Sequence, residues 1–154
     1  MSTGGEGVIL GPGEGRTIST MGSTLAFKAV SENSGGAYAL AEYVAEAGFS
    51  GPAPHLHLEM EEAFYVLDGT LHIQLGEEAV QAPAGSFVLV PRGTVHTFAN
   101  PLTTPSKFLL ITSPGGFEHY YEELAAFIAE PESFTPEAVE GLAEKYKFRV
   151  VSPG

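Results

Sequence analysis

Between Thr17 and Thr112 the chain is a succession of short runs with β-strand character. Apolar and β-branched side chains recur at every second position within these runs, and glycine, proline, asparagine or aspartate residues separate one run from the next. Strands this short and this numerous, about ten in all, cannot bury their apolar faces singly. The pattern therefore predicts an all-β fold, either a barrel or a sandwich.

Beyond Pro114 the apolar period changes from that of a strand to that of a helix. An aromatic series from Phe117 to Ile128 recurs at three- and four-residue spacing and ends before Pro131. A second series follows Thr135 and Pro136, which suit an N-cap and a first helical position. We predict two C-terminal α-helices, whose aromatic stripe packs on the outside of the strands or on a partner subunit.

The composition restricts the classes of function. A chain of 154 residues with 44% hydrophobic residues suits one domain with a substantial core. A net charge of -12 without a basic cluster predicts no nucleic-acid partner and no anionic membrane surface. With neither a long apolar run nor a signal-peptide pattern, we expect a cytoplasmic protein. The absence of cysteine leaves any metal ion to nitrogen and oxygen donors.

A possible metal site is the strongest chemical signal. His55 and His57 are two residues apart, so on a strand both rings point to the same side. Glu62 follows after a short turn and can supply a carboxylate oxygen, while His96 can join from a distant segment bounded by turn residues. These four residues predict a site for one divalent transition metal ion, which could be Mn, Fe, Ni, Co, Cu or Zn.

The spacing of these residues resembles the first motif of the cupin superfamily, in which a His-x-His pair is followed by a glutamate and then a glycine. His55, His57, Glu62 and Gly69 fit the latter part of that motif, whereas the approach loop before His55 differs in length. Strand alternation puts Glu61 and Glu62 on opposite faces, so only one of them can be a ligand. The family spacing to Gly69 favours Glu62.

The second cupin motif is matched at each of its fixed positions. They are Gly85, Pro91, Gly93, His96 and Asn100. The resemblance implies a jelly-roll β-barrel over residues 17–112. The glycine-rich start of the chain predicts a flexible arm at 1–16, and the helical spacing predicts a helical extension of the same domain at 113–154. The resemblance also predicts a strand from Ala39 to Ala47, although the composition of this segment alone would suit a helix equally well. We expect Asn100 to hold a turn rather than to contact substrate.

Within the cupins, the chain looks most like the quercetin 2,3-dioxygenase-like group. That resemblance implies a metal-dependent dioxygenase in which Glu62 is catalytic, because it can leave the metal and deprotonate a substrate hydroxyl. Phe64 shares the predicted face of Glu62, and Phe98 that of His96, so both are expected to line the site and to favour a small aromatic substrate. His72 and His119 lie outside the motifs and are not expected to bind metal.

Two alternatives remain open at this point. One keeps the metal ion as a Lewis acid in a non-redox enzyme, such as an isomerase, cyclase or lyase. The other is a non-enzymatic cupin that binds a small molecule. For either function, the glycine-rich arm and the aromatic helices favour a homodimer.

Overall fold

The fold is built from short antiparallel strands followed by two helices. A computed structural model describes residues 7–151; residues 1–6 of the predicted arm and residues 152–154 lie outside the described part. The strands are β1 (Arg16–Thr20), β2 (Ser23–Ala29), β3 (Ala39–Ala45), β4 (His55–His57), β5 (Glu61–Asp68), β6 (Thr70–Leu75), β7 (Glu78–Pro83), β8 (Phe87–Val90), β9 (His96–Ala99), β10 (Ser106–Ser113) and β11 (Phe148–Val150). The helices are α1 (Ser31–Ser34), α2 (Glu118–Ala129) and α3 (Pro136–Tyr146), with a 3-10 turn at Pro131–Ser133.

The strands form two sheets. One has the order β1-β2-β3-β10-β5-β8 and the other the order β11-β4-β9-β6-β7. The prediction of a mainly β fold of the jelly-roll type is consistent with this arrangement. Within residues 7–151, however, the strands form two separate sheets, so the predicted closure into a barrel is not observed. The Ala39–Ala45 segment is a strand, as predicted.

The core lies where the inner faces of the two sheets meet. Along β10, Ser106, Phe108, Leu110 and Thr112 alternate with more exposed residues and point inward. Phe64, Leu71 and Phe108 are completely buried, and each such side chain contributes about 1.5–3 kcal/mol by leaving water. This alternation fixes the register of each strand, because a shift by one residue would expose the apolar side chains.

Asn100 closes the turn after β9, as expected. Its amide nitrogen donates hydrogen bonds to the carbonyl oxygens of Ala45, Glu46 and Thr104 at 3.1, 3.2 and 2.9 Å. Its side-chain oxygen accepts one from the backbone N–H of Leu102 at 3.2 Å. The side chain therefore satisfies several buried backbone groups at once and ties β9 to the end of β3.

The two long helices match the predicted pattern. Helix α3 begins after Thr135, whose hydroxyl accepts a hydrogen bond from the N–H of Ala138 at 3.1 Å, with Pro136 at the first helical position. No helix within residues 7–151 has the length and apolar character needed to cross a bilayer. The short strand β11 and the single turn α1 were not predicted, because three or four residues carry too little periodicity to be recognised.

Glu118 attaches helix α2 to the strands. It is 2% exposed, and its carboxylate accepts hydrogen bonds from the backbone N–H and the hydroxyl of Ser31 at 2.6 and 2.7 Å. The N–H of Gly116 donates a third at 2.6 Å. Burial raises the pKa of Glu118, but these hydrogen bonds outweigh it and lower the pKa below its ordinary value of 4.5. The carboxylate form therefore stabilises the fold.

Glu118→Gln should lower the free energy of unfolding by about 1–3 kcal/mol at pH 7, because an amide cannot accept all three hydrogen bonds and leaves buried donors unpaired. A group with a lowered pKa stabilises the protein above pH 4.5, and that stabilisation is lost as the pH falls through the lowered value. Urea unfolding should therefore show the difference from wild type shrinking at acid pH. Glu130→Gln, the same change in an exposed residue, should be neutral; equal effects at both positions would contradict the role of Glu118.

Candidate metal centre

The two sheets together position the four predicted ligands. His55 and His57 are the two ends of β4, and the pairing of β4 with β9 sets His55 opposite His96. Glu62 lies on β5 of the other sheet and points inward, as the alternation of β5 requires. The site is thus built from three histidines on one sheet and a carboxylate on the other.

The donor atoms of these four residues converge. One donor atom from each of His55, His57, Glu62 and His96 lies within 4.8 Å of the others. Nε2 of His96 is 2.7 Å from Oε2 of Glu62, and Nε2 of His57 is 3.4 Å from the same oxygen. Glu62, His57 and His96 are all buried. Such a cluster of nitrogen and oxygen donors, removed from water, has the chemistry of a transition-metal site.

Two of the histidines have a partner for their second nitrogen. Nδ1 of His55 lies 2.9 Å from the carbonyl oxygen of Ala53, and Nδ1 of His96 lies 3.0 Å from that of Thr94. A proton on Nδ1 that is donated to a carbonyl leaves the lone pair of Nε2 free. Both rings are therefore held in the form that binds a metal ion through Nε2.

The protonation of these groups also suits a cation. Burial raises the pKa of Glu62, but the neighbouring His57 and His96 outweigh it and lower the pKa to about 2, so the group is a carboxylate. Burial, with the further effect of His96, lowers the pKa of His55 to about 4, which leaves it neutral. For His96, burial lowers the pKa but the hydrogen bond to Glu62 raises it more. The raised pKa means that His96 holds a proton more readily, and metal binding would displace the proton from this ring.

The four residues fit a metal ion, and a buried polar atom supports this. Neither ring nitrogen of His57 has a hydrogen-bond partner within residues 7–151. A buried nitrogen without a partner is costly, and coordination of an ion by Nε2 would remove that cost. His72 lies on β6 and His119 on the surface of α2, so neither belongs to this cluster.

A second group of acidic and histidine side chains has a structural explanation. Glu32, Glu118 and His119 also lie close together. The oxygens of Glu118 already accept hydrogen bonds from Ser31 and Gly116, and His119 is paired with Glu32 and Glu122 on the surface. Within residues 7–151, this group is therefore engaged in contacts that hold α2 in place.

The approach loop before His55 depends on a glycine. Gly51 has a φ of +75°, and a β-carbon at this position would lie 1.8 Å from the carbonyl oxygen of Phe98. The loop therefore runs directly against the backbone of β9, which only glycine permits. The hydroxyl of Thr97 donates a hydrogen bond to the carbonyl of Pro52 at 2.6 Å and holds the same loop. This close packing sets the place at which β4 begins.

A cavity of about 360 Å³ opens beside the cluster. His55, His57 and Glu62 border it, and most of the remaining wall is apolar. Phe98 lines the cavity. Phe64 does not: it is completely buried behind Phe98, with 5.2 Å between the ring centroids, because the core between the sheets takes up this part of β5.

The C-terminal part of the chain supplies much of the cavity wall, which the sequence did not predict. Its contributing residues are Phe117, Tyr120, Tyr121, Leu124, Ile128, Phe134, Val139, Leu142, Phe148 and Val150. The helical spacing of the aromatic stripe was visible, and its interpretation as core packing holds for Phe117 and Tyr121. The aromatic stripe also faces the cavity, however. The prediction that it packs on the outside of the strands was therefore wrong in part.

Comparison with known proteins agrees with the fold. Residues 42–112 match the family model described as a cupin domain. The chain is similar to KdgF from Halomonas sp., with 18% identity over 74% of this chain and 99% of that one and a TM-score of 0.64. It is also similar to an RmlC-like cupin from Shewanella frigidimarina, with 17% identity over 75% and 96% of the two chains and a TM-score of 0.62.

Two further similarities are more limited. A sugar phosphate isomerase of the cupin superfamily from Silicibacter pomeroyi is 22% identical over 60% of each chain, with a TM-score of 0.53. A mannose-1-phosphate guanylyltransferase from Salmonella muenchen is 36% identical over 61 residues, which are 40% of this chain. The matched segment is only 13% of the length of that transferase. Residues 42–112 are thus similar to a cupin domain, and the described fold is similar to those of the two cupin-type structures. These findings do not single out one activity.

We expect one transition metal ion per chain, and each of the changes His55→Ala, His57→Ala and His96→Ala should release most of it, because three donors bind far more weakly than four. Elemental analysis of purified variants measures this directly. His72→Ala and His119→Ala are the controls and should retain the wild-type metal content. Full occupancy in His96→Ala would rule out the four-residue site.

Proposed function

We propose that this cupin-domain protein is a metal-dependent enzyme acting on a small, uncharged organic substrate, and that it is a dioxygenase of the quercetin 2,3-dioxygenase-like type. His55, His57, Glu62 and His96 would hold the metal ion, and Glu62 would be the catalytic carboxylate. The observation that carries the proposal is the apolar cavity that opens onto His55, His57 and Glu62. Its volume lies in the range of small-molecule sites, roughly 300–1,000 Å³.

The wall of the cavity favours an apolar and planar molecule. Aromatic rings from three parts of the chain border it, including Phe49, Phe98 and Tyr120. Such rings bind planar apolar molecules by stacking and by edge-to-face contacts. The same surface offers water few hydrogen-bonding partners, and molecular oxygen is itself apolar. A site of this kind therefore suits an aromatic substrate that reacts with oxygen.

The charge of the wall argues against a phosphorylated substrate. No lysine or arginine within residues 7–151 borders the cavity. A phosphate buried there would be paired with the metal ion alone, and burial of an incompletely paired charge costs several kcal/mol. The similarity to a sugar phosphate isomerase therefore extends to the fold, whereas the cavity favours a different type of substrate.

The chain's own residues can bind, orient and deprotonate such a substrate. A bound transition metal would act as a Lewis acid toward a substrate oxygen and, if redox-active, would make oxygen chemistry available. The Glu62 carboxylate borders the cavity and can accept a proton from a substrate hydroxyl. Burial raises the pKa of Tyr121 well above its ordinary value, so this phenol stays neutral and can donate a hydrogen bond.

A non-redox reaction is the second candidate, and the position of Glu62 favours it. A buried carboxylate beside a metal site can remove a proton next to a carbonyl group and return it elsewhere, as an isomerase or lyase requires. This chemistry uses the same four residues and the same cavity. It differs from the first candidate in consuming no oxygen.

Oxygen uptake should separate the candidates. With metal-replete protein, neutral flavonols and other enolisable aromatic compounds should give oxygen-dependent turnover, while phosphorylated sugars should not. Glu62→Gln should lower turnover by about 100-fold or more beyond any loss of metal, because glutamine cannot accept the substrate proton. Metal content is measured in the same samples.

Glu61→Gln is the matched control. Glu61 is the neighbouring residue on β5, is partly exposed and lies near Arg92 on the surface, so its substitution should leave turnover unchanged. Product formation without oxygen uptake would favour the non-redox enzyme. Binding of these compounds without any turnover would favour the non-enzymatic alternative, and full activity in metal-replete Glu62→Gln would remove Glu62 from catalysis.

We further propose that the partner of this chain is a second copy. The outer face of the six-stranded sheet carries an exposed apolar patch formed by Tyr65 and Leu67 of β5 and Phe87 and Leu89 of β8. Phe87 is 59% exposed and Ile9 of the arm 97% exposed. Burial of this patch in a homodimer would remove apolar surface from contact with water.

Light scattering at micromolar concentration should give twice the chain mass of 16.2 kDa. Phe87→Lys should shift the protein toward the monomer, because a buried unpaired charge at the interface is unfavourable. Val80→Lys, on the exposed surface of the other sheet, should leave the dimer intact. Deletion of residues 1–15 would test whether the arm contributes, and a monomer mass for the wild type would exclude the dimer.

A further inference from the structure

His57 differs from the other two histidines of the cluster in how its ring is held. His55 and His96 each have a backbone carbonyl within hydrogen-bond distance of Nδ1. His57 is 3% exposed, yet neither of its ring nitrogens has a hydrogen-bond partner within residues 7–151. Hydrogen bonds to the second nitrogen are what normally fix the orientation of a metal-binding histidine. Nε2 of His57 lies 3.4 Å from Oε2 of Glu62, but Nδ1 lacks the carbonyl that holds the other two rings, so packing contacts are left to orient this ring.

Two phenylalanines pack against that ring. The ring centroid of Phe117 lies 5.0 Å from that of His57, with an interplanar angle of 86°. The centroid of Phe148 lies at 6.4 Å, with an angle of 61°. These distances and angles are those of favourable edge-to-face aromatic contacts. Phe117 and Phe148 also contact each other edge to face, with 6.2 Å between their centroids, so the three rings form one packed group.

Both phenylalanines come from the C-terminal part of the chain. Phe117 immediately precedes α2, and Phe148 is the first residue of β11. Neither belongs to residues 42–112, which match the cupin domain model. The cluster of four ligands is thus supplied by the strands, while the orientation of one ligand depends on a segment outside the matched domain.

The backbone of β11 reinforces this arrangement. Strand β11 pairs with β4 so that Phe148 is directly opposite His57 and Val150 opposite His55. The N–H of Leu58 donates a hydrogen bond to the carbonyl of Lys147 at 2.8 Å, and the N–H of Val151 donates one to that of Pro54 at 2.8 Å. The ends of β4 are therefore tied to β11, and the Phe148 ring is carried to His57 by the strand pairing itself.

We propose that Phe117 and Phe148 are positioning residues for the metal site, which orient His57 through aromatic contacts in place of a hydrogen bond. This inference rests on the metal-binding part of the proposed function and is independent of the reaction. Loss of the Phe117 ring would remove the nearer of the two phenylalanine contacts and allow the ring of His57 to reorient. The affinity for metal would fall even though all four ligands remain.

Binding of Co²⁺, followed by its visible absorption, tests the proposal. Phe117→Leu should weaken Co²⁺ binding by about 10-fold, the lower end of what the loss of an orienting contact around a metal site costs. At saturating Co²⁺ its absorption band should also differ from that of the wild type, which reports a change around the ion rather than a loss of stability. Phe117→Tyr keeps the ring and should restore both affinity and spectrum.

Phe127→Leu is the matched control. Phe127 lies on α2, and within residues 7–151 it makes one ring contact, to Phe134 at 5.7 Å, and does not border the cavity. The control substitution removes the same type of ring from a position ten residues further along the chain, so it should leave Co²⁺ affinity within about twofold of wild type. Thermal unfolding of both leucine variants measures their stability. If Phe117→Leu fails to fold, Phe148→Leu takes its place.

A double-mutant cycle shows whether the effect passes through His57. In a His57→Ala background, Phe117→Leu should change Co²⁺ affinity by less than about twofold, because the ring that it orients is already absent. An undiminished 10-fold loss in that background would overturn the proposal, as would equal affinities of Phe117→Leu and wild type. Failure of the wild type itself to bind Co²⁺ would instead refute the metal site.

Discussion

The close approach of Glu62 to His96 is the contact on which the rest of this structure depends. A carboxylate and an imidazole 2.7 Å apart join the two sheets at a fully buried point. Such groups remain in an apolar core only if each satisfies the other or a shared ion satisfies both. The sheets must therefore keep their relative position, and the alternation of β5 and the pairing of β4 with β9 hold that position.

Local sequence patterns made much of the β fold and of the four-residue cluster predictable. The parity of His55 and His57, the strand alternation and the turn residues around His96 depend only on neighbours in the sequence, and they indicated both the β fold and the cluster of four donors. The proline at the first position of α3 likewise indicated where that helix begins. These features are encoded within a few residues, where sequence reasoning is strong.

The remainder depends on contacts between distant segments. The pairing of Phe148 with His57 joins the last described strand to the first metal-site strand, and three residues give no periodic signal that would predict it. Phe64 and Phe98 both point inward, and only the packing of the sheets puts one at the cavity and the other behind it. The separation of the sheets, where a closed barrel was expected, likewise depends on strand pairing across the whole chain.

The same side chains of the C-terminal segment both line the cavity and support His57. Phe117 and Phe148 border the cavity, and they also pack against a metal-site histidine. A change in this segment that alters the shape of the cavity must therefore also alter the support of His57. In the proposed enzyme, selection of substrate and strength of metal binding would be coupled, because the same rings would contribute to both. A cavity wall made only from the strands would leave the two properties independent.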